Sequence, residues 1–417
     1  MKWHELEAEQ GRDLDYKIEM ALRVIREAFA MASRPALAFS GGKDSTVLLD
    51  LIRRFFPELF AKLIEIYGNT GVEYPESVQF VRWLKDEWQL QLYEARPGNT
   101  VEPGLKYAGQ RLVWKYLIEN GRINWVLKQD GKLKSTQALE RAAPEMWLEL
   151  ESKRLVWPAG SKMTYSWCTD QYGWPLLGKS WSMLDARRIN IDTFLKFSSS
   201  ESDKPKLLAY YDVLRQVKIS QHCCKVLKKE PSERMQAEHD VDLIFKGLMA
   251  SESRARAKNF LTRGYLFEGA ERGYLQGRPF FHCQPLAIWT DEDIWAYIRR
   301  YQVPYASLYD MTYTAIDGSC QHIRRNGCLG CGTDFGYKNN HLFVLRQTHR
   351  RAWETTMRAG MAQQIRNLQV TMRKGQYMLF DSVETDELIE MQPCAFDDLD
   401  GMGGMNAQKE LVYDPEI

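Results

Sequence analysis

The chain has 417 residues, 44% hydrophobic and 27% charged, which is typical of a soluble globular protein with about two or three domains. Its 56 Lys and Arg residues balance 55 Asp and Glu residues, so a net charge of +1 excludes binding to nucleic acid or membranes through overall charge alone. No apolar run approaches the roughly 20 residues that span a bilayer, and the charged start MKWHELEAEQ does not fit a signal peptide. We therefore expect a cytoplasmic protein with no membrane partner.

The first 95 residues alternate between helical and strand patterns. Apolar positions at helical spacing predict a helix over 14–32, and Pro35 ends it. The pattern continues with strand 36–39, helix 45–56, strand 63–67 and helix 77–89. Strands that alternate with helices in this way predict an α/β fold with a parallel sheet and crossover helices.

Tryptophan is concentrated in the part of the chain that follows. Nine of the 13 tryptophans lie between Trp83 and Trp181, interleaved with Lys and Arg. Aromatic rings can stack on the bases of single-stranded nucleic acid, and interleaved basic side chains can neutralise its phosphates. The favoured interpretation is that these rings pack an inserted subdomain, because large aromatic side chains dominate many cores.

The alternation resumes in the second half of the chain. Strands are predicted over 243–248 and 283–288, followed by a helix over 291–301 with Thr290 as its N-cap. Residues 381–400 contain eight acidic side chains and no basic one, which predicts a solvated, mobile tail.

The loop SGGKDS lies between the first predicted strand and the helix after it. Its glycines let backbone amides approach an anion, and the helix N-terminus adds unpaired N–H groups. The pattern therefore predicts a polyphosphate or pyrophosphate site, with a tight structural turn as the alternative. The Walker spacing GxxxxGK[ST] is absent, which excludes a kinase-like or GTPase-like loop. The candidate residues are Ser40, Gly41, Gly42, Lys43, Asp44 and Ser45.

SGGKDS after a strand resembles the PP-loop of the ATP pyrophosphatases, which split ATP between its α and β phosphates. Four further motifs resemble those of the phosphoadenosine phosphosulfate (PAPS) reductase family and occur in the same order along roughly residues 18–360. They are YGNTGVEYPES at Tyr67–Ser77, QHCCKVLKKEP at Gln221–Pro231, GLMASESRARAK at Gly247–Lys258 and RNGCLGC at Arg325–Cys331. The resemblance implies an adenine nucleotide α-hydrolase-like fold, a parallel twisted sheet with helices on both faces.

The same resemblance implies a domain organisation. The expected segments are 1–95 and 206–310 as the two halves of a nucleotide-binding domain, 96–205 as the aromatic and basic insertion, 311–375 as a cysteine-bearing helical region and 376–417 as the acidic tail. It also implies that further residues contact the nucleotide, namely Asn69, Thr70, Gly71, Ser251 and Arg254.

The segment GLMASESRARAK also suggests an anion site on its own residues. Arginine guanidinium groups match phosphate and sulfate oxygens in a bidentate manner, so Arg254 and Arg256 suit the anionic end of a nucleotide. A solvated basic helix face is the alternative.

Five of the eight cysteines are clustered, and these are the candidate metal ligands: Cys223, Cys224, Cys320, Cys328 and Cys331. The adjacent pair plus the CxxC pair gives the four thiolates that a [4Fe–4S] cluster requires, with zinc as second choice. A second scheme takes Cys320, the CxxC pair and one cysteine of the adjacent pair, which resembles the sulfur-activating proteins of DNA phosphorothioation systems. Cys168, Cys283 and Cys394 are expected to be ordinary thiols.

The family's reductases carry a late cysteine in an E-C-G-[IL]-H segment, whereas the late cysteine here, Cys394, lies in the acidic QPCAFDD. The resemblance with an intact PP-loop therefore implies ATP cleavage that adenylates an acceptor for sulfur incorporation. Lys43 and the loop amides would stabilise the leaving pyrophosphate, Asp44 would help to hold Mg²⁺, and Arg254 would steady the anion.

DNA phosphorothioate modification is the first interpretation, with tRNA or sulfate as other acceptors, a cysteine desulfurase as sulfur donor and further subunits as partners. The alternatives are a thioredoxin-linked PAPS reductase of sulfate assimilation and a non-catalytic nucleotide-sensing subunit.

Overall fold

The computed structural model describes residues 2–106, 108–109, 112, 144–176, 219–269, 273–275, 277, 280–335 and 339–365. The chain divides into two compact units. Unit 1 comprises Met1–Arg96 and Lys228–Cys328, and unit 2 comprises Pro97–Leu227 and Leu329–Ile417. The acidic segment 381–400 and Cys394 lie outside the described residues.

The strands are numbered in chain order. They are β1 (Pro35–Phe39), β2 (Ile64–Gly68), β3 (Leu92–Ala95), β4 (Gly104–Leu105), β5 (Val156–Trp157), β6 (Leu243–Phe245), β7 (Leu266–Glu268), β8 (Phe281–Cys283), β9 (Thr312–Thr314) and β10 (Cys320–His322).

The α-helices are numbered in the same way. They are α1 (Trp3–Gln10), α2 (Leu14–Met31), α3 (Lys43–Phe55), α4 (Pro57–Phe60), α5 (Pro75–Glu87), α6 (Pro144–Ser152), α7 (Tyr165–Tyr172), α8 (His222–Cys224), α9 (Glu230–Glu238), α10 (Arg254–Arg263), α11 (Asp291–Tyr301), α12 (His341–Thr348) and α13 (Arg350–Thr356). A π-helical turn, Lys225–Lys229, joins α8 to α9, and another, Met357–Met361, follows α13. No helix in the described ranges is long and apolar enough to cross a bilayer.

Unit 1 is built on a six-stranded sheet with the order β3-β2-β1-β6-β8-β7. All neighbouring pairs are parallel except β7 and β8, so the predicted α/β fold with a mostly parallel sheet is confirmed. The chain runs outward from β1 to β3 on one side and then continues from β6 on the other. The strand order therefore reverses between β1 and β6, the position where open α/β sheets bind ligands at the carboxyl ends of their strands.

Helices cover both faces of this sheet. The ring of Phe245 in β6 lies 5.0 Å from that of Phe29 in α2. Its neighbour Ile244 belongs to a core cluster against which Met235 and Ala237 of α9 pack. Because successive residues of a strand point to opposite faces, α2 and α9 lie on opposite sides of the sheet. The apolar face of α2 is buried, and the Asp13 side chain caps the N-terminus of the helix.

Most predicted elements of unit 1 are present with shifted ends. Helix α3 begins at Lys43, two residues before the prediction, because the Gly42 carbonyl already accepts from Thr46 N. Helix α5 begins at Pro75, since proline is favoured at the first helical position. Helix α11 spans the predicted residues. The Thr290 hydroxyl caps it by accepting from Asp293 N, and the Asp293 carboxylate accepts from Thr290 N in return.

Two strand predictions need correction. The run 283–288 was expected to be a strand, but β8 ends at Cys283 and a turn follows, because Pro285 has no N–H for the strand ladder. The run 243–248 is a strand only to Phe245. Beyond it lies Gly247, whose Cα passes so close to the backbone of Asp44 that an added Cβ would meet it at 3.0 Å.

In the described part of unit 2, tryptophan rings contribute to packing. Trp147, Trp167 and Trp174 are buried, and Trp157 donates its indole N–H to Asp170 over 2.8 Å. The interpretation of these rings as packing groups therefore holds for the described tryptophans of the insertion.

Candidate nucleotide site

The SGGKDS loop leaves the carboxyl end of β1, at the reversal of strand order. Gly41 adopts a φ of +67°, a conformation that side chains other than glycine rarely adopt. A Cβ added there would also lie 2.5 Å from Cγ2 of Val81 in α5. Both the turn and its packing therefore require glycine at this position.

Hydroxyl groups hold the loop in shape. The Ser40 and Ser45 Oγ atoms lie 3.1 Å apart, and Gly42 N donates to Ser40 Oγ over 3.2 Å. Ser45 Oγ and Thr46 Oγ1 both donate to the Gly42 carbonyl, at 2.9 and 3.0 Å. These hydrogen bonds within the loop hold its backbone in one conformation.

Lys43 is the central charge of the site. Its side chain is only 4% exposed, and its Nζ lies 2.8 Å from Asp44 Oδ1 and 2.7 Å from Asp291 Oδ1. Burial alone would lower the pKa of the ammonium, but the charge of Asp44 and the hydrogen bond of Asp291 outweigh burial and raise the pKa above its ordinary value. Lys43 is therefore a cation at neutral pH, held between two carboxylates.

The first amide of α3 has a side-chain partner. Lys43 N donates to the hydroxyl of Tyr309 over 3.1 Å, and Lys43 Nζ lies 5.7 Å from the centre of the same ring. Burial raises the pKa of Tyr309 to about 12, so the hydroxyl stays protonated. Tyr309 thus fixes the start of the helix on which the loop is mounted.

The second predicted loop follows β2 and is organised by Glu73. This carboxylate accepts from the Thr70 hydroxyl over 2.6 Å, from Thr70 N over 3.0 Å and from Gly71 N over 3.1 Å. Asn69 donates to Glu94 over 3.1 Å and accepts from Gly71 N over 3.0 Å. The backbone of Gly71 has a φ of +80°. The three predicted residues therefore form one compact turn at the carboxyl end of the sheet.

In the predicted anion-binding segment, the sequence predicts Arg254 as the nucleotide contact, but Arg256 is the half-buried arginine. Arg254, the first residue of α10, is exposed, whereas Arg256 is half-buried and forms an ion pair with Glu252. Burial and the nearby Arg325 lower the pKa of Arg256, while Asp44 raises it. The Ser251 hydroxyl donates to the Trp289 carbonyl over 2.9 Å.

The four residues Arg325–Cys328, which we call the strap, contact three of these loops. Arg325 lies 4.0 Å from a carboxylate oxygen of Glu252, and Asn326 Nδ2 donates to the Ser40 carbonyl over 2.9 Å. Cys328 Sγ lies 3.6 Å from Thr70 Oγ1. The strap therefore joins the SGGKDS loop, the loop after β2 and the segment before α10, all within unit 1.

The candidate metal ligands are divided between the two units. Cys328 ends unit 1, while Cys223, Cys224 and Cys331 belong to unit 2. Burial, and to a smaller extent Cys224, raises the pKa of the Cys331 thiol. Cys320 is exposed in the hairpin of β9 and β10. Cys168 and Cys283 are buried, as expected of ordinary thiols.

Among the described residues, no three Cys, His, Asp or Glu side chains are grouped so that they could hold a metal ion. The four-thiolate cluster stays a prediction from the sequence.

Sequence reasoning missed three residues of the site. Asp291 was recognised only as the start of a helix, and Asn326 only as part of the cysteine motif. Tyr309 carried no signal, because its contact with Lys43 depends on residues far apart in the chain. The acidic first turn of α11 is the one local feature that could have indicated a partner for Lys43.

The chain is similar to one protein family and to several of its members. A family model described as the phosphoadenosine phosphosulfate reductase domain matches residues 34–147 and 185–324. An adenosine 5′-phosphosulfate reductase of Allochromatium vinosum is 32% identical over 122 residues, which are 29% of this chain and 38% of that protein. A phosphoadenosine 5′-phosphosulfate reductase of Xanthomonas axonopodis pv. citri is 33% identical over 89 residues, 21% of this chain and 32% of that protein.

These matches thus span about a third of the relatives' own lengths, 38% and 32%. Among solved structures, a phosphoadenylyl-sulfate (PAPS) reductase from Candida auris in complex with phosphate aligns over 71% of this chain and 89% of its own. Its sequence identity is 15% and the TM-score is 0.32.

Proposed function

The chain belongs to the phosphoadenosine phosphosulfate reductase domain family, and from this premise we propose that it is an enzyme acting on an adenylyl sulfate, either APS or PAPS, with sulfite as product. The observation that carries the proposal is the loop Ser40–Ser45 at the reversal of strand order, with the Lys43 ammonium at its centre. The names of the relatives support this substrate class.

In the proposed reaction a thiolate attacks the sulfur of the adenylyl sulfate and breaks its bond to the phosphate oxygen. The nucleotide leaves as AMP or adenosine 3′,5′-bisphosphate. A second thiol, supplied by a dithiol protein such as thioredoxin, then releases sulfite and leaves a disulfide. The role of the SGGKDS loop is to stabilise the charge that develops on the leaving phosphate, through Lys43 and the loop amides.

A second candidate is cleavage of ATP between its α and β phosphates with transfer of AMP to an acceptor. It is favoured by one observation, the two carboxylates on Lys43. Mg²⁺ in nucleotide sites is commonly bound by one or two carboxylates plus phosphate oxygens, and Asp44 and Asp291 suit that role. When bound, Mg²⁺ would neutralise phosphate charge. A DNA or tRNA acceptor, a cysteine desulfurase and partner subunits remain part of this second candidate.

One set of assays separates the two reactions. Purified protein is incubated with APS or PAPS plus reduced thioredoxin, and sulfite is measured; in parallel, ATP and Mg²⁺ are added and pyrophosphate is measured. We expect sulfite release that is lost in Ser40→Ala and Lys43→Ala. Pyrophosphate release with the same dependence would favour the second candidate.

Serine variants of the individual cysteines, Cys394 included, then identify the attacking thiol. A protein that binds these nucleotides but turns none of them over would favour a nucleotide-sensing subunit and contradict both enzyme proposals.

A further inference from the structure

Asn326 in the strap contacts the SGGKDS loop, and it lies outside the residues that the family model matches. That match ends at residue 324, immediately before the strap begins. Asn326 Nδ2 donates to the Ser40 carbonyl over 2.9 Å. A Cβ added to Gly42 would lie 3.7 Å from Asn326 Cβ, so the asparagine also packs directly against the loop.

The Ser40 carbonyl shares a peptide plane with the N–H of Gly41. In a trans peptide these two groups point in opposite directions, and rotation of the plane moves both. A hydrogen bond that holds the carbonyl therefore fixes the direction of the Gly41 N–H as well. Gly41, with its φ of +67°, is the residue around which the loop turns.

The bond requires a donor at position 326. The orientation of the amide follows from its partner, because only Nδ2 can donate to a carbonyl oxygen. The other atom, Asn326 Oδ1, is buried and has no hydrogen-bond partner among the described residues. A carboxylate at this position would place negative charge against the carbonyl oxygen and would repel it.

We propose that Asn326 is a positioning residue for nucleotide binding, which holds the Ser40–Gly41 peptide so that the loop amides are preorganised for the phosphate group. The inference rests on the proposed function, since it assumes that the loop binds a nucleotide. Asn326 acts through the backbone of Ser40 and needs no contact with the nucleotide itself.

The test is the affinity for PAPS and for ATP, measured by isothermal titration calorimetry between about pH 4 and pH 8. Asn326→Ala removes the donor, and we expect an affinity loss of about tenfold at every pH, as for one hydrogen bond of about 1.4 kcal/mol. Asn326→Asp should lose more at pH 8, where its side chain is ionised.

As the pH falls to about 4, the ordinary pKa of an aspartic acid, the introduced carboxylate takes up a proton, and its O–H can then donate to the Ser40 carbonyl. The ratio of the Asn326→Asp affinity to the wild-type affinity should then rise toward one. A side chain with a purely structural role would not give this pH-dependent recovery. Asn259→Asp, at an exposed position of α10, controls for added charge, and thermal unfolding checks that each variant folds.

The outcomes are distinct. If the wild-type protein binds nucleotide and both Asn326 variants bind as tightly, the inference is wrong while the proposed function stands. An affinity ratio for Asn326→Asp that does not change with pH also overturns the inference. A wild-type protein that binds neither PAPS nor ATP overturns the proposed function and the inference together.

Discussion

Lys43 Nζ lies 2.7 Å from Asp291 Oδ1, an ion pair between the first residue of α3 and the first residue of α11. Each residue lies at the N-terminus of a helix, where the helix dipole favours negative charge. The lysine is thus a cation in a place that favours anions, and Asp44 and Asp291 keep its ammonium charged despite burial. On the proposed function, a phosphate group bound in the loop would replace one carboxylate as the partner of the Lys43 ammonium.

The first prediction concerns this charge. Lys43→Met removes the ammonium with little change in length, and we expect nucleotide affinity to fall by about 10- to 100-fold, since hydrogen bonds to charged groups contribute about 1.5–3 kcal/mol. The dissociation constants of both proteins for ATP and PAPS provide the measurement. Lys62→Met, at an exposed lysine, is the matched control. Equal affinities in Lys43→Met and wild type would remove the lysine from the site.

The second prediction separates backbone strain from packing in the loop. Gly41→Ala and Gly71→Ala both place alanine at a positive φ, but only the Cβ at position 41 meets a neighbour, Val81 Cγ2 at 2.5 Å. We expect Gly41→Ala to lower the melting temperature more than Gly71→Ala. Adding Val81→Ala should cost less in the Gly41→Ala background than in wild type, because it relieves the contact. Additive effects in this double-mutant cycle would contradict the packing argument.

The sequence predicts those helices and strands whose residues form a recognisable pattern within a short segment of the chain. Helix α2 and the pair β1 and α3 followed from apolar periodicity and from the glycines between them. The run after Cys283 was misassigned because a buried turn and a buried strand have the same apolar composition. Periodicity reports burial, and burial alone does not distinguish these structures.

The site was predictable to the extent that its residues are adjacent in sequence. Ser40, Lys43 and Ser45 come from one loop, so the sequence predicts them together. Tyr309 and Asn326 were missed because their roles depend on contacts with residues that are far away along the chain. Such contacts are determined by the sheet topology, which a single sequence does not specify.

The third prediction concerns a buried carboxylate beneath the site. Asp50 of α3 is fully buried and accepts hydrogen bonds from Arg53 at 2.8 Å, Arg54 at 3.0 Å and the Tyr297 hydroxyl at 3.0 Å. Asp50→Ala leaves these donors without their partner, and we expect the free energy of unfolding to fall by about 2–4 kcal/mol. Tyr297→Phe removes one hydrogen bond and should cost about 1 kcal/mol. Urea denaturation measures both, and equal costs would contradict the assigned network.

The fourth prediction is a pH dependence of stability. Glu65 in β2 is buried, and burial raises the pKa of its carboxyl from 4.5 to about 8. Between these values the folded protein keeps a proton that the unfolded chain releases, so the stability contributed by this group falls as pH rises through that window.

Glu65→Gln keeps a neutral side chain at every pH and should remove this slope. At pH 8 we expect the variant to be more stable than wild type by about 2–4 kcal/mol, with a smaller difference at pH 5. Chemical denaturation at several pH values provides the test, and Glu58→Gln, at an exposed position, is the control. A stability gain that does not depend on pH would contradict the raised pKa.

The fifth prediction concerns the cysteines. If the four thiolates of Cys223, Cys224, Cys328 and Cys331 bind a [4Fe–4S] cluster, protein purified without oxygen should contain about four irons and four sulfides per chain. Cys328→Ser and Cys331→Ser should lose them, whereas Cys168→Ser should not. Stoichiometric zinc without sulfide would instead support the second choice of metal.

The pairing of β1 with β6 has a consequence for biosynthesis. Pro35 pairs with Leu243, so the centre of the sheet joins segments made before and after the first part of unit 2. At about 5–20 residues per second, the ribosome needs on the order of ten seconds to make the intervening chain. Throughout that interval β1 is an unpaired sheet edge with apolar side chains, the kind of edge that promotes aggregation. We therefore expect misassembly of the nascent chain to be most frequent in the interval after β1 has been synthesised and before β6 is available to pair with it.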